Sequence, residues 1–211
     1  MVQSLSEKKI TSEYIAARMR KKTFFARDCR YVAEHILGDI LLIKKGRSVL
    51  AGKIVETEAY PGKEDDASHA FKGKNTKRTS TLYSQGGVAY VYFIYGKYWC
   101  FNIVTGKKGD PQSVFIRALE PVCGMEKMKK LRGTGDMGKL TCGPCRWTQA
   151  FAIDRTWSGR PLTSFSACIL KQAGKKNNSA RGQRIGVDYA EQGREEFLRF
   201  YLKDNPFVSK K

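Results

Sequence analysis

Two segments rich in aromatic and β-branched residues flank a Gly-Lys step, and this pattern constrains the fold more than any other in the chain. Residues 88–95 and 98–104 have the composition of β-strands, and Gly96-Lys97 between them fits a two-residue type II′ turn. The pattern predicts an antiparallel hairpin. Elsewhere the chain lacks the alternation of strands and helices that builds parallel sheets. We therefore predict an α+β fold: a single mixed domain with a curved, mostly antiparallel β-sheet and surrounding helices.

A second strand is predicted over residues 49–60, and it carries the first candidate for chemistry. Its alternation places Glu58 and Tyr60 on one side, which Glu58 shares with Leu50 and Ile54. Burial beside an apolar surface favours the protonated carboxyl, whereas a nearby cation opposes that effect. Such a group suits general-base work on water. The alternative is that this end of the face turns to solvent and leaves Glu58 hydrated.

Shorter patterns predict the remaining elements. Further strands are expected at 40–43, 114–119 and 197–202, with Pro121 ending the second of these. Helices are expected to end near residue 37 before Gly38, to span 125–131, and to run from Pro144 to residue 153. Residues 63–87 form a long loop, a feature that is usually functional or disordered. Residues 1–22 are expected to be a basic arm, either mobile or a short helix, and residues 23–211 the main domain.

Charge points to a polyanionic partner. The chain has 39 Lys and Arg against 20 Asp and Glu, which gives a net charge of +19. Nucleic acid is the commonest polyanion inside a cell, although a merely soluble basic protein or one bound to an anionic membrane has the same excess. No apolar run is long enough to span a bilayer, and the first 22 residues lack the apolar segment of a secretory signal. An intracellular location, with no membrane partner, is expected.

The long loop and the hairpin supply candidate binding groups. His69 is one of 2 histidines and lies in the loop that follows Tyr60. Tyr95 is next to the hairpin turn, where a large aromatic side chain gains little burial, and an aromatic tip on a basic hairpin suits insertion between stacked bases. Tyr60 and Tyr92 are candidates to stack on an extruded base. A hydrophobic cluster within the sheet is the alternative for these rings.

Five ordered blocks of residues resemble the alkyladenine (3-methyladenine) DNA glycosylase family. They are VETEAY at 55–60, DASH at 66–69, YVYFIYG at 90–96 with Asn102, IRALEP at 116–121, and a C-terminal block of RIGV at 184–187, LRFY at 198–201 and NPFVS at 205–209. The resemblance covers roughly residues 24–209. It implies a monofunctional hydrolase without metal or cofactor that flips alkylated purines, and in many members hypoxanthine, out of duplex DNA.

The resemblance also implies a role for each matched position. Glu58 would activate the water that attacks the sugar C1′, and Arg117 with the backbone carbonyl of Ile185 would hold that water. The remaining positions concern the base: Tyr60, His69 and Tyr92 would sandwich it, Asn102 would contact its edge, and Tyr95 would fill the gap left in the duplex. The expected partner is double-stranded DNA with damaged purines, such as 3-methyladenine and 7-methylguanine. The protein is expected to be a monomer and to be located with the cell's DNA.

Three other functions compete with this interpretation. Cys142-Gly-Pro-Cys145 is also a thioredoxin-like motif, which would make the chain a thiol–disulfide oxidoreductase or give it a reversible Cys142–Cys145 disulfide. A zinc site that adds Cys100 and Cys123 has irregular spacing. A metal-dependent nuclease would draw its ligands from Glu56, Glu58, Asp65, Asp66 and His69. A non-catalytic nucleic-acid binder would bind any duplex and release no base. Most of the 6 cysteines are expected to be reduced thiols.

Overall fold

In the computed structural model, which describes residues 9–46, 48–172 and 178–210, the aromatic hairpin forms one edge of a nine-stranded sheet. The strands are β1 (Ile40–Lys45), β2 (Ser48–Tyr60), β3 (Ala89–Ile94), β4 (Tyr98–Thr105), β5 (Gln112–Cys123), β6 (Thr163–Ser164), β7 (Ala167–Leu170), β8 (Ser179–Gly182) and β9 (Arg199–Leu202). Every ladder between these strands is antiparallel. The predicted α+β class with a curved antiparallel sheet is confirmed.

The order of the strands gives β2 a central place. The main path runs β3-β4-β5-β2-β1-β7-β6, and β9 pairs with the last part of β2 while β8 pairs with β9. Residues 56–58 of β2 are therefore paired by backbone hydrogen bonds with β5 on one side and with β9 on the other. The side chains of Glu56 and Glu58 in this stretch are buried, and the N–H groups of Ser209 and Ile185 donate to them.

Five α-helices cover the sheet in the described part of the chain: α1 (Ser12–Arg18), α2 (Lys22–Phe25), α3 (Cys29–His35), α4 (Met125–Arg132) and α5 (Pro144–Ala150). Helices α2 to α5 pack on one face and build the main core with the strands. Trp147 of α5 is fully buried there, and its indole N–H donates to the Ile116 carbonyl at 2.9 Å. Replacing a buried tryptophan of this kind with alanine typically costs about 3–5 kcal/mol.

Helix α1 lies against the opposite face of the sheet. Its Ile15 is fully buried and packs with Ile40, Leu42 and Leu170, and Met19 pairs with Leu170 in an isolated bridge. Residues 9–22 of the expected N-terminal arm thus contact the sheet, whereas residues 1–8 lie outside the described residues. No helix in the described part of the chain is long and apolar enough to cross a membrane.

A bulge in β2 reverses the side-chain alternation expected from the sequence. Ile54 and Ala59 both enter the main core although five positions separate them, and the register with β5 shifts on either side of Glu56. An extra residue in a ladder turns the following side chains to the other face. Glu58 therefore does not share a face with Leu50 and Ile54, so that prediction was wrong. Its pairing with Tyr60 on one side is confirmed by their hydrogen bond.

Two further local predictions were wrong. Strand β5 continues through Pro121 to Cys123, because the proline falls where the register with β2 shifts and no regular ladder bond is required of it. The hairpin turn is centred on Tyr95 and Gly96, with φ values of 51° and 62°, and Lys97 N–H donates to the Ile94 carbonyl at 3.1 Å. Two consecutive left-handed residues define a type I′ turn, not the expected type II′ turn at Gly96-Lys97.

Candidate active site

The face of the sheet opposite the main core carries a cavity of about 550 Å³. Alternation along the strands produces this division, because Ala89, Val91, Phe101, Ile103, Val114 and Ile116 enter the core. Their neighbours Tyr90, Tyr92, Cys100, Asn102, Phe115 and Arg117 line the cavity. The loop after β2 adds His69, and the segment after β8 adds Ile185. Tyr60 at the end of β2 and Cys145 at the start of α5 complete the lining, so four strands, one helix and two distant loops form the wall of the cavity.

Glu58 lies behind this wall and is fully buried. Its Oε1 accepts the Ile185 N–H at 2.8 Å and lies 3.0 Å from Nη1 of Arg117. Its Oε2 accepts the Tyr60 hydroxyl at 2.9 Å. The three partners all line the cavity. The carboxylate is thus fixed in orientation by groups from β2, β5 and the segment after β8.

Two opposing effects act on the Glu58 carboxyl. Burial raises its pKa, while the Arg117 charge and the hydrogen bonds from Ile185 and Tyr60 lower it, and the net shift is upward. Arg117 also lies 3.5 Å from Glu56 and donates to the Ile185 carbonyl at 3.4 Å. Glu56 is itself paired with Arg199 at 3.0 Å. A raised pKa beside a single shared cation is the arrangement expected of a group that accepts a proton.

Three aromatic side chains form one wall of the cavity. The His69 and Tyr92 rings meet edge to face with centroids 4.6 Å apart, and Tyr90 and Tyr92 are 5.4 Å apart. The Tyr90 hydroxyl lies 3.0 Å from Nδ1 of His69. Burial and the charges of Arg78 and Lys74 lower the His69 pKa to about 4. The imidazole is consequently neutral at physiological pH.

Two other predicted residues lie at the floor and at the rim. Asn102 is buried in β4, with its side-chain amide 3.5 Å from the Tyr90 carbonyl. Tyr95 is 88% exposed at the tip of the hairpin and has a left-handed backbone. A bulky residue rarely adopts this conformation, which costs about 1–3 kcal/mol and is retained mainly at functional positions. The residues to which the family resemblance assigns a role thus line the cavity, or in the case of Glu58 lie directly behind its wall.

A buried ion pair that supports the site has no signal in the sequence. Arg184 donates to both oxygens of Asp65, at 2.6 and 2.7 Å, and both side chains are almost completely buried. The same guanidinium lies 4.7 Å from the Tyr60 ring centroid. The two residues are 119 positions apart, and neither the arginine nor the acidic run shows in the sequence which partner it will pair with. Arg184 thereby ties the loop after β2 to the segment that carries Ile185.

The acidic residues proposed as nuclease ligands are engaged in other contacts. Asp65 is paired with Arg184, and Asp66 accepts the backbone N–H groups of residues 191–193. His69 is bonded to Tyr90. No group of three or more histidine, cysteine, aspartate or glutamate side chains suited to a metal ion occurs in the described ranges. Asp65 and Asp66 therefore hold the segment of residues 184–193 against the loop that follows β2.

The two cysteines of the CGPC sequence do not face each other as partners. The Cys142 thiol donates to the Val208 carbonyl at 3.6 Å. Cys145 lines the cavity instead, at the start of α5. No disulfide joins any of the 6 cysteines in this structure. The short segment 142–145 therefore contributes one thiol to the C-terminal segment and one to the wall of the cavity.

Comparison with known proteins identifies the class to which this site belongs. A sequence model described as methylpurine-DNA glycosylase matches residues 23–206. A protein of Clostridium botulinum (strain Hall) named "Putative 3-methyladenine DNA glycosylase" is 42% identical over 199 residues, covering 90% of this chain and 98% of its own length. A protein of Natranaerobius thermophilus with the same name is 40% identical over 190 residues, covering 88% and 96%.

The chain belongs to the methylpurine-DNA glycosylase family. It is a DNA glycosylase, a hydrolase of N-glycosyl bonds that acts in base excision repair. Its partner is DNA that contains damaged bases. The enzyme class predicted from the sequence blocks is confirmed, and the oxidoreductase and nuclease alternatives lose their claim to the main activity.

Proposed function

We propose that the enzyme flips 3-methyladenine, 7-methylguanine and hypoxanthine out of duplex DNA into this cavity and hydrolyses each N-glycosidic bond with a water activated by Glu58. The observation that carries the proposal is the buried Glu58 carboxylate, hydrogen-bonded to three groups that all line the cavity. The reaction needs no metal and no cofactor.

The hydrogen bonds of Glu58 indicate which oxygen takes the proton. Oε1 is engaged by both Ile185 and Arg117, whereas Oε2 accepts one hydrogen bond, from Tyr60. A carboxylate oxygen has two lone pairs, so Oε2 retains one for a water that enters beside the tyrosine. Arg117 and the Ile185 carbonyl hold this water for attack on C1′. The water loses a proton to Oε2 as the C1′–N bond to the purine breaks.

The aromatic wall suits a cationic purine. An alkylated purine carries positive charge, stacks well on the electron-rich faces of Tyr60 and Tyr92, and leaves the sugar as a neutral molecule. His69 completes the sandwich, and its lowered pKa keeps it uncharged, so that it does not repel such a base. Asn102 contacts the edge of the base. Hypoxanthine lacks the positive charge, and we expect it to be released more slowly.

Tyr95 fills the space that the flipped nucleotide leaves. Its exposed ring projects from a tight turn on a strongly basic protein, which suits a wedge between base pairs. A damaged or mispaired base costs less to unstack, which adds to the selectivity.

The glycosylase domain comprises residues 23–211, preceded by the basic segment 1–22, and the enzyme acts as a monomer.

The test is base release in EDTA from a duplex with one hypoxanthine and from methylated DNA, followed by alkaline cleavage of the abasic sites. Wild type should release both bases, and Glu58→Gln should lose about 10²–10⁴ of the rate, the usual contribution of a general base. Glu120→Gln is the matched control, because Glu120 is also buried but pairs with Lys53 and Asn205 away from the cavity. Equal rates for Glu58→Gln and wild type would contradict the role of Glu58.

A further inference from the structure

A second buried carboxylate lies next to Arg117 and has no role in the proposed hydrolysis. Glu56 of β2 is fully buried, and its Oε1 lies 3.5 Å from Nε of Arg117. Nη1 of the same guanidinium lies 3.0 Å from Oε1 of Glu58. One cation at the cavity wall is therefore shared by two carboxylates, of which Glu58 is the proposed base.

The contact between Glu56 and Arg117 is one of charge. Nε of Arg117 is buried and has no hydrogen-bond partner among the described residues. The oxygens of Glu56 are engaged elsewhere, since Oε1 accepts Nη1 of Arg199 at 3.0 Å and Oε2 accepts the Ser209 N–H at 2.7 Å. Charges interact strongly where water is excluded. A carboxylate fixed at this distance therefore attracts the guanidinium without a hydrogen bond to it.

Strand β9 and the C-terminal segment fix the position of Glu56. Arg199 of β9 also donates to two backbone carbonyls, at 3.0 and 2.9 Å, which fixes the orientation of its guanidinium. The C-terminal segment packs on β2 and β5 through Phe207 and Val208, and this packing leads the Ser209 N–H to the carboxylate. Glu56 is thus held by two elements that do not line the cavity.

We propose that Glu56 is a positioning residue for the hydrolysis, which holds the Arg117 guanidinium by charge in the orientation that serves Glu58 and the attacking water. The other contact that orients Arg117 is its hydrogen bond to the Ile185 carbonyl, which is long at 3.4 Å. Without the charge of Glu56, the guanidinium is drawn toward Glu58 alone. The inference rests on the proposed role of Glu58 as the base.

The charge of Glu56 also acts on the base. A like charge nearby disfavours the ionised form of a carboxyl, so Glu56 raises the pKa of Glu58. The charged and titratable groups that face Glu58 are Tyr60 on β2, Tyr92 on β3, Arg117 on β5, and Arg184 and Tyr189 on the segment after β8. Those that face Glu56 are Arg117, Arg199 and the Cys142 thiol before α5. Replacing Glu56 leaves all of these groups in the chain.

The test is Glu56→Gln, which removes the charge and keeps the size of the side chain. Carbon NMR of labelled glutamate in DNA-free protein follows the Glu58 carboxyl, whose signal is assigned by its absence in Glu58→Gln. We expect its titration midpoint to fall by about one pH unit, the lower end of the effect of a neighbouring charge. The single-turnover rate of base release should fall by about tenfold to a hundredfold, as for a displaced catalytic group, while the affinity for damaged DNA stays nearly unchanged.

A double variant keeps the test decisive if Glu56→Gln folds poorly. Glu56→Gln/Arg199→Met removes both charges of the buried pair, and uncharged replacements of such a pair are often neutral for stability. Its Glu58 midpoint should lie between those of wild type and Glu56→Gln, because the two lost charges have opposite signs. The rate of base release should stay low, because Arg117 still lacks the charge of Glu56.

Asp39→Asn is the matched control. Asp39 is also buried and paired with an arginine, Arg20 at 2.7 Å, but it does not line the cavity. This variant should change neither the Glu58 midpoint nor the rate. A shift in Asp39→Asn equal to that in Glu56→Gln would contradict the inference, because it would reflect a general loss of stability.

Three further results would overturn the inference. They are an unchanged Glu58 midpoint in Glu56→Gln, a wild-type rate of base release in that variant, and a loss confined to the affinity for DNA. Failure of the proposed function is distinguishable. It would appear as a wild-type rate in Glu58→Gln, or as no base release from wild type, whereas the Glu58 midpoint is measured without DNA.

Discussion

Arg184 donates two hydrogen bonds to Asp65, at 2.6 and 2.7 Å, across more than half of the chain. The same guanidinium binds the carbonyls of Ala59 and Gly193, both at 3.0 Å, and lies over the Tyr60 ring. A Cβ atom on Gly193 would lie 2.7 Å from Nη2 of Arg184 and from Oδ1 of Asp65, so the pair passes closely over this glycine. The end of β2 and the segment carrying Ile185 are thereby held together next to Glu58.

Removing one member of this pair is predicted to destabilise the fold. Asp65→Asn leaves the buried Arg184 charge without its carboxylate, and breaking a buried pair in this way costs about 3–5 kcal/mol. Urea unfolding followed by fluorescence measures the loss. Asp136→Asn is the control, because Asp136 is exposed and pairs with Lys139 on the surface. A loss no greater than that of the control would show that the pair does not hold the loop.

The raised pKa of Glu58 predicts how activity depends on pH. Because burial raises this pKa, the base is protonated at a higher pH than a free carboxyl, and kcat/KM should fall as pH decreases through the raised value. Rates for 7-methylguanine release between pH 4.5 and 8, corrected for spontaneous depurination, test this. An acid limb that remains in Glu58→Gln would assign the titration to another group.

The same shift predicts an effect on stability with the opposite sign. The folded state binds a proton at Glu58 more tightly than the unfolded state does, so this contribution is present below pH 4.5 and is lost as pH rises through the folded pKa. Glu58→Gln removes this slope. Its free energy of unfolding relative to wild type should therefore increase from pH 4.5 to pH 8. A constant difference across this range would contradict the raised pKa.

His69 is predicted to remain neutral throughout the physiological range. Its pKa of about 4 lies below the ordinary 6.5 because of burial and the charges of Arg78 and Lys74. Since the folded pKa is lowered, its contribution to stability is present above pH 6.5 and is lost as pH falls toward 4. Nitrogen NMR of labelled His69 should show a neutral ring from pH 8 to pH 5.5. A titration midpoint near pH 6.5 would contradict this prediction and would show that the His69 ring is exposed to water.

Tyr95 is predicted to be needed for binding to duplex DNA and to destabilise the fold slightly through its left-handed backbone. Tyr95→Asn should leave the free energy of unfolding unchanged or raise it by about 1 kcal/mol, because asparagine accepts the left-handed region more readily. The same variant should release hypoxanthine more slowly from duplex DNA and at nearly the wild-type rate from a single strand. Equal losses on both substrates would assign the ring to the cavity and not to the duplex.

The sequence alone determined the elements whose pattern is local. The hairpin, strand β2, the helix that begins at Pro144 and the joint placement of Glu58 and Tyr60 all follow from alternation, turn residues and the position of proline, which depend on neighbours in the chain. The ordered blocks of residues also identified the family, which the comparisons confirmed. Even here the turn was displaced by one residue, because Tyr95 adopts a conformation that its residue type disfavours.

Only the tertiary structure decided which distant groups meet. The burial of Glu58 depends on a bulge and on the arrival of β9 beside β2, and neither leaves a periodic signal in the chain. Asp65 meets Arg184, and Glu58 meets Ile185 and Arg117, only because the fold brings distant segments of the chain together. Local patterns fix which way a side chain points along its own element. The chemistry of this site depends on contacts between elements, which the packing of the whole chain determines.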